Sequence, residues 1–116
     1  MRWVAPSIVV PEVAAAVSAA RRDGRLRATA ARRVRSAWAQ VIEQIDLLVI
    51  DASLAGGAGQ LAASRPIGGM DAVYLAAAVA LVGADPVCLL SFDGCQRGAV
   101  QADDGIALVP ADLRER

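Results

Sequence analysis

Short apolar runs alternate with helix-forming stretches along this chain, and this alternation restricts its possible folds more than any other feature. The runs Leu47–Ile50, Cys88–Leu90 and Ile106–Val109 lack the polar residues that alternate in half-exposed strands. Strands of this kind are buried on both faces, and helices between them favour parallel pairing. The sequence therefore predicts an α/β fold, a parallel sheet flanked by helices on both faces.

Helix signals fill the stretches before and between these runs. An extended piece around Trp3 to Ala5 precedes a helix over 8–22 with Ser7 as N-cap, Pro11 in the first turn and a stop at Gly24. A second helix is predicted from the N-cap Thr29 to about residue 44. Its predicted core face is Val34, Trp38, Val41, Ile42 and Ile45. Further helices are predicted over Ser53–Ser64, Asp71–Val82 and Gly94–Ala102.

Length and composition narrow the class of protein. The 116 residues predict one domain, and the twelve basic and twelve acidic side chains cancel. The longest uncharged apolar stretch, Ala72 to Ala84, is shorter than a membrane span, which needs about 20 residues. With no signal-peptide pattern at the N-terminus, the sequence predicts a cytoplasmic protein without a membrane segment. Cys88 and Cys95 cannot form a zinc site by themselves, and the chain has no histidine.

Three carboxylates stand out by their positions. Glu12 has apolar neighbours at helical spacing, although it could also tip to the surface and favour the helix dipole. Asp71 and Asp93 each stand where a helix N-cap belongs, and Asp93 also follows a predicted strand. Because the carboxyl ends of parallel strands share one edge, the three acids could converge there and bind magnesium or manganese for phosphoryl transfer. The alternative is three unconnected acids at helix starts.

Several blocks of the chain, taken together, resemble a known family. In order and spacing, these blocks are similar to PIN-domain ribonucleases, and among them to VapC toxins: 5–16 (APSIVVPEVAAA), 22–26 (RDGRL), 69–76 (GMDAVYLA), 91–93 (SFD) and 105–110 (GIALVP). The similarity covers nearly the whole chain, residues 1–116, as a single PIN-like domain. The Asp-Ala-Val-Tyr-Leu-Ala block is its most specific part.

The resemblance implies a magnesium- or manganese-dependent endoribonuclease, the toxin of a toxin–antitoxin pair whose antitoxin blocks the active site. It implies that Glu12, Asp71 and Asp93 are catalytic and hold the metal ion. Ser91 matches the family's Thr or Ser two residues before the last acid and is a possible RNA contact. The expected partners are an RNA substrate and a cognate antitoxin, and the expected assembly is a homodimer.

Family members begin with a strand that ends in the first catalytic aspartate and lies in the middle of the sheet, and no such strand precedes Trp3. We therefore expect an N-terminally truncated domain with two half-sheets that lack their shared neighbour. The chain is then either a nuclease whose start lies further upstream or an inactive remnant that binds an antitoxin or dimerises. Asp51 in the segment 49–54 (VIDASL) imitates the missing motif, but the predicted role of Asp51 or Ser53 is to cap the following helix.

Arginines are concentrated in one short segment. Seven lie within fifteen residues, offset only by Asp23: Arg21, Arg22, Arg25, Arg27, Arg32, Arg33 and Arg35. Guanidinium groups match phosphate in charge and geometry, so Arg21, Arg22 and Arg25 are candidate RNA contacts. An acidic antitoxin segment or simple solvation of a turn between two helices would also explain the cluster.

Overall fold

The computed structural model describes residues 2–83 and 85–111. The chain divides into two compact units, Met1–Val49 and Ile50–Arg116. Within the described residues, no helix combines the length and the apolar character that crossing a membrane requires.

The first unit is one parallel strand pair with two helices in its crossover. Its elements are β1 (Trp3–Pro6), α1 (Val9–Arg22), α2 (Ala28–Ile42) and β2 (Ile45–Leu48). β1 and β2 are in register from Trp3 opposite Ile45 to Pro6 opposite Leu48. The Ser7 N–H donates to the Leu48 carbonyl oxygen at 2.8 Å, so pairing continues one residue past the strand.

The second unit repeats this arrangement with a helical hairpin in front of it. Its elements are α3 (Ala52–Ser64), α4 (Gly69–Ala80), β3 (Val87–Leu90), α5 (Gly94–Ala99), a 3₁₀ turn (Ala102–Asp104) and β4 (Ile106–Val109). β3 pairs in parallel with β4. Leu75 and Leu89 are buried with Ala99 in its core, while small residues of α3 and α4 form a second buried cluster.

The α/β class with parallel strands separated by helices is confirmed. The described residues form two two-stranded parallel sheets, β1-β2 and β3-β4. The expectation that the strands are buried on both faces is wrong. Leu89 of β3 is buried, but Leu90 is 51% exposed and Val109 is 40% exposed, because alternate side chains point to opposite faces and only one face packs on the core helices.

Some of the predicted helix ends are correct. α1 ends at Arg22, directly before the predicted stop, and Gly24 has a φ of 75°, a conformation that glycine adopts without strain. Asp51 caps α3 as expected, accepting the Leu54 N–H at 2.8 Å. Ser7 is not the cap of α1, because its backbone is still paired with β2 and the cap position is Ile8. Thr29 is also not a cap, since α2 begins earlier, after an extended Arg27.

The predicted core face of α2 is displaced around the helix. Ala31 is completely buried and Trp38 and Ile42 are half-buried, whereas Val34 and Val41 are exposed. The spacing of seven and four residues places Ala31, Trp38 and Ile42 on one narrow stripe. Val34 and Val41 lie beside this stripe. Because they are apolar, the sequence pattern included them in the core face and predicted a face that is too wide.

A buried ion pair joins three segments of the second unit. The Arg65 guanidinium binds both carboxylate oxygens of Asp104, at 2.6 and 2.9 Å, and Nη1 also donates to the Ala99 carbonyl oxygen at 3.1 Å. Both side chains are largely buried. The hydrogen bonds from Arg65 lower the pKa of Asp104 below its ordinary value, because they stabilise the charged form more than burial disfavours it.

We expect Asp104→Asn to lower the free energy of unfolding at neutral pH by about 2 kcal/mol, because the Arg65 charge then lacks its counterion. Since the folded-state pKa of Asp104 is lowered, its stabilising effect is complete above the ordinary carboxyl pKa of about 3.9 and is lost as the pH falls through the folded-state value. The difference from wild type in urea unfolding should therefore shrink in acid. Asp103→Asn, at an exposed neighbour, is the control; an equal loss in both variants would contradict the assignment.

Leu75 is the largest fully buried side chain of the described residues. Leu75→Ala should lower the free energy of unfolding by about 3 kcal/mol, because it removes buried methylene groups and leaves a cavity. Leu81→Ala, at a position 37% exposed just after the same helix, should cost much less. Urea unfolding of both variants measures this, and equal losses would mean that Leu75 is not central to the core.

Candidate functional site

Asp71 lies in the first turn of α4. The cap position is Gly68, which is extended, and the Ala72 N–H donates to the Gly68 carbonyl oxygen at 2.9 Å to close the first turn. Asp71 is the third residue of the helix and is half-buried, so its predicted role as N-cap is wrong. The helix begins two residues earlier than predicted, at Gly69. A carboxylate in this turn still interacts favourably with the helix dipole.

Asp93 caps α5, as predicted. Its backbone is extended, and its Oδ1 accepts the Gln96 N–H at 3.1 Å. The side chain is exposed, so it meets solvent while it makes this cap. A carboxylate has about four lone-pair positions, and one capping bond leaves capacity for a further ligand.

Ser91 fixes the backbone that leads into this cap. It follows β3 directly and is 5% exposed. Its Oγ accepts the Asp93 N–H at 3.2 Å, and its own N–H donates to the Val109 carbonyl oxygen at 3.1 Å. Ser91 is therefore buried, and its hydrogen bonds orient the loop that carries Asp93.

Gln96 contacts both candidate acids of the second unit. Its side chain is buried, and Nε2 donates to the Asp71 carbonyl oxygen at 3.3 Å while its N–H donates to the Asp93 carboxylate. The start of α4 and the start of α5 are therefore held beside each other. This proximity is necessary if Asp71 and Asp93 are to bind one metal ion.

Arg97 closes the same edge of the sheet. Its guanidinium donates to the Ser91 carbonyl oxygen at 2.9 Å and to the Pro110 carbonyl oxygen at 2.7 Å, so it joins the chain segments that follow β3 and β4. The sequence reasoning missed both Gln96 and Arg97. The Asp93-x-x-Gln96 spacing resembles a capping box and could have indicated Gln96, although here the Asp93 N–H bonds to Ser91 and the amide turns to Asp71.

The third predicted acid, Glu12, belongs to the first unit. It lies in the first turn of α1, where its N–H donates to the Ile8 carbonyl oxygen at 3.1 Å, and it is half-buried. A negative charge in this turn is favourable to the helix dipole, as the alternative interpretation of this residue required.

The arginine segment lies on the surface of the first unit. All seven of its arginines are exposed. Arg21 and Arg22 occupy the last turn of α1, where positive charge suits the helix dipole. Arg25 makes an exposed ion pair with Asp23 at 3.2 Å. Exposure of the whole set is compatible with binding phosphate and with simple solvation.

Residues 2–83 and 85–111 contain no group of three or more histidine, cysteine, aspartate or glutamate side chains placed to hold a metal ion. A magnesium ion is commonly held by one or two carboxylates, with water and substrate phosphate completing its shell. The pair Asp71 and Asp93 supplies hard oxygen donors on two elements that Gln96 ties together, which fits this chemistry. No family model, curated protein or solved structure matches the chain.

We expect Asp93→Ala to lower the free energy of unfolding by about 1 kcal/mol, because the Gln96 N–H loses its capping acceptor. Asp93→Asn should cost only a few tenths, since an amide oxygen also caps. Asp51→Ala removes the corresponding cap of α3 and should cost a similar amount. Thermal and urea unfolding measure all three; equal effects of Ala and Asn at position 93 would show that Asp93 does not stabilise α5 through this cap.

Proposed function

We propose that this chain is a PIN-like, metal-dependent endoribonuclease of the VapC toxin type. The observation that carries the proposal is that one buried residue, Gln96, bonds to both the Asp71 carbonyl oxygen and the Asp93 carboxylate, near the carboxyl end of β3. In parallel α/β folds this is the edge where ligands bind. The ordered sequence blocks around Glu12, Asp71 and Asp93 support the same function.

The strand arrangement supports a PIN-like fold. Two separate parallel pairs, β1-β2 and β3-β4, are what a PIN-like sheet leaves when its central strand is set aside. In each pair, a crossover connection that contains helical residues joins the two strands, as parallel pairing requires.

The proposed cofactor is magnesium or manganese, held by Asp71 and Asp93, with Glu12 included on the sequence resemblance alone. Such an ion lowers the pKa of a bound water and stabilises the charge that develops on a phosphodiester. The residues of this chain act around it. Ser91 and Arg97 fix the backbone that carries Asp93, and Gln96 bonds to the Asp93 carboxylate and to the Asp71 carbonyl oxygen. The exposed carboxylate of Asp93 leaves its edge open to a polymer substrate.

The proposed substrate is RNA. Seven exposed arginines in the segment 21–35 supply the positive charge that neutralises backbone phosphates without reading sequence. Arg21, Arg22 and Arg25 are the proposed contacts. In a toxin of this type, acting in the cytoplasm, a cognate antitoxin would block the active site and the toxin would form a homodimer.

A second candidate function is a catalytically inactive module that binds an antitoxin or dimerises. One observation favours it: apolar side chains are exposed near the candidate site, with Phe92 72% exposed, Leu90 51% and Val109 40%. Exposed apolar groups this close together commonly mark interaction surfaces. The two candidates share a fold and differ in whether the chain cleaves RNA.

The test is cleavage of a fluorophore-labelled RNA by the purified chain in magnesium, with and without a chelator. We expect metal-dependent cleavage that falls at least about a hundredfold in Asp71→Asn and in Asp93→Asn, because each loses a charged metal ligand. Asp93→Asn keeps the helix cap, so the loss would report charge. Asp51→Asn is the matched control, since it makes the same change at the cap of α3 and should retain activity.

Cleavage that survives both substitutions, or that falls equally in Asp51→Asn, would refute the assignment of these acids. No cleavage by the wild-type chain, together with a concentration-dependent dimer in light scattering, would favour the inactive module.

A further inference from the structure

Gln96 combines burial with hydrogen bonds to both candidate acids of the second unit. It is 8% exposed. Its side chain donates to Asp71, and its backbone N–H donates to Asp93. A buried primary amide needs partners for its donors, and the Asp71 carbonyl oxygen supplies one. The bond connects residues 25 positions apart in the chain, so local helix formation does not explain it.

From these contacts we propose that Gln96 is the positioning residue of the metal site, setting the separation of the Asp71 and Asp93 carboxylates. The inference rests on the proposed function, which assigns those two acids to the metal. Its physical basis is that the Gln96 side chain bonds to the Asp71 carbonyl oxygen while the Gln96 N–H bonds to the Asp93 carboxylate. The starts of α4 and α5 therefore cannot shift independently without breaking a hydrogen bond.

The chemistry of the amide suits this task. A glutamine donates a hydrogen bond without carrying charge, whereas an arginine or lysine at the same place would put a positive charge beside a bound cation and weaken its binding. The neighbouring Arg97 has its guanidinium committed to two carbonyl oxygens, Ser91 and Pro110, and so joins the strand ends. Of Gln96 and Arg97, Gln96 is the residue that bonds to both acids.

A structural role is the competing explanation, in which Gln96 fills space between α4 and α5. Gln96→Met separates the two, because methionine has nearly the same length and volume but cannot donate to Asp71. The backbone N–H that bonds to Asp93 is unchanged by this substitution. Gln60→Met makes the same change at an exposed position of α3 and is the matched control.

The experiment measures Mn²⁺ binding to the full chain by the loss of the free-ion electron paramagnetic resonance signal, without RNA. We expect Gln96→Met to weaken Mn²⁺ binding by at least about tenfold, as loss of a group that orients a metal ligand commonly does, with a nearly unchanged urea midpoint. Gln60→Met should bind as wild type does. If Gln96→Met fails to fold, Gln96→Asn decides, since its amide is one methylene too short to reach Asp71 and should show the same loss.

Equal Mn²⁺ affinity in wild type and Gln96→Met would overturn this inference and leave the proposed nuclease function intact. A wild-type chain that binds no Mn²⁺ would instead overturn the proposed metal chemistry, and the role of Gln96 with it. A fall in affinity that only matches a fall in stability would assign Gln96 to packing and likewise overturn the proposal.

Discussion

Parallel strand pairing is the constraint on which the rest of this structure depends. Two parallel strands cannot be joined by a tight turn, so each pair in this chain encloses helical crossover chain. The carboxyl ends of both strands then lie at one edge, and chain leaving β3 must turn there into α5. The bonds from Ser91 to Val109 and from Arg97 to Pro110 extend the pairing past the strands and fix this turn. The candidate site is a consequence of that geometry.

Backbone groups are the hydrogen-bond partners of several side chains at this edge. Ser91, Gln96 and Arg97 all use side-chain polar atoms to bind main-chain groups of neighbouring segments. Such bonds hold the path of the chain at the starts of α4 and α5. In the described residues, every buried side-chain nitrogen or oxygen has a hydrogen-bond partner, so the edge is formed without an unsatisfied polar group.

Local patterns in the sequence predicted the elements well, because strands and caps are determined over a few residues. The strand Ile106–Val109 and the caps at Asp51 and Asp93 follow directly from apolar runs and from acids at helix starts. The pattern failed where distant pairing decides. Ser7 looks like a cap, but its backbone is used by a strand 41 residues away in sequence. The bond from Gln96 to Asp71 was missed for the same reason: the Asp93-x-x-Gln96 spacing indicates only a local cap, whereas Asp71 lies on another helix.

The ion pair of Arg65 and Asp104 has a consequence for how the second unit opens. Arg65 follows α3, Asp104 precedes β4, and Ala99 is the last residue of α5. The Arg65 guanidinium bonds to both of the others, so it connects three segments. None of these segments can fray alone without exposing a charge that the others keep buried. Fluctuations of α5 and β4 are therefore coupled to the end of α3, and this part of the chain behaves as one cooperative unit of local unfolding.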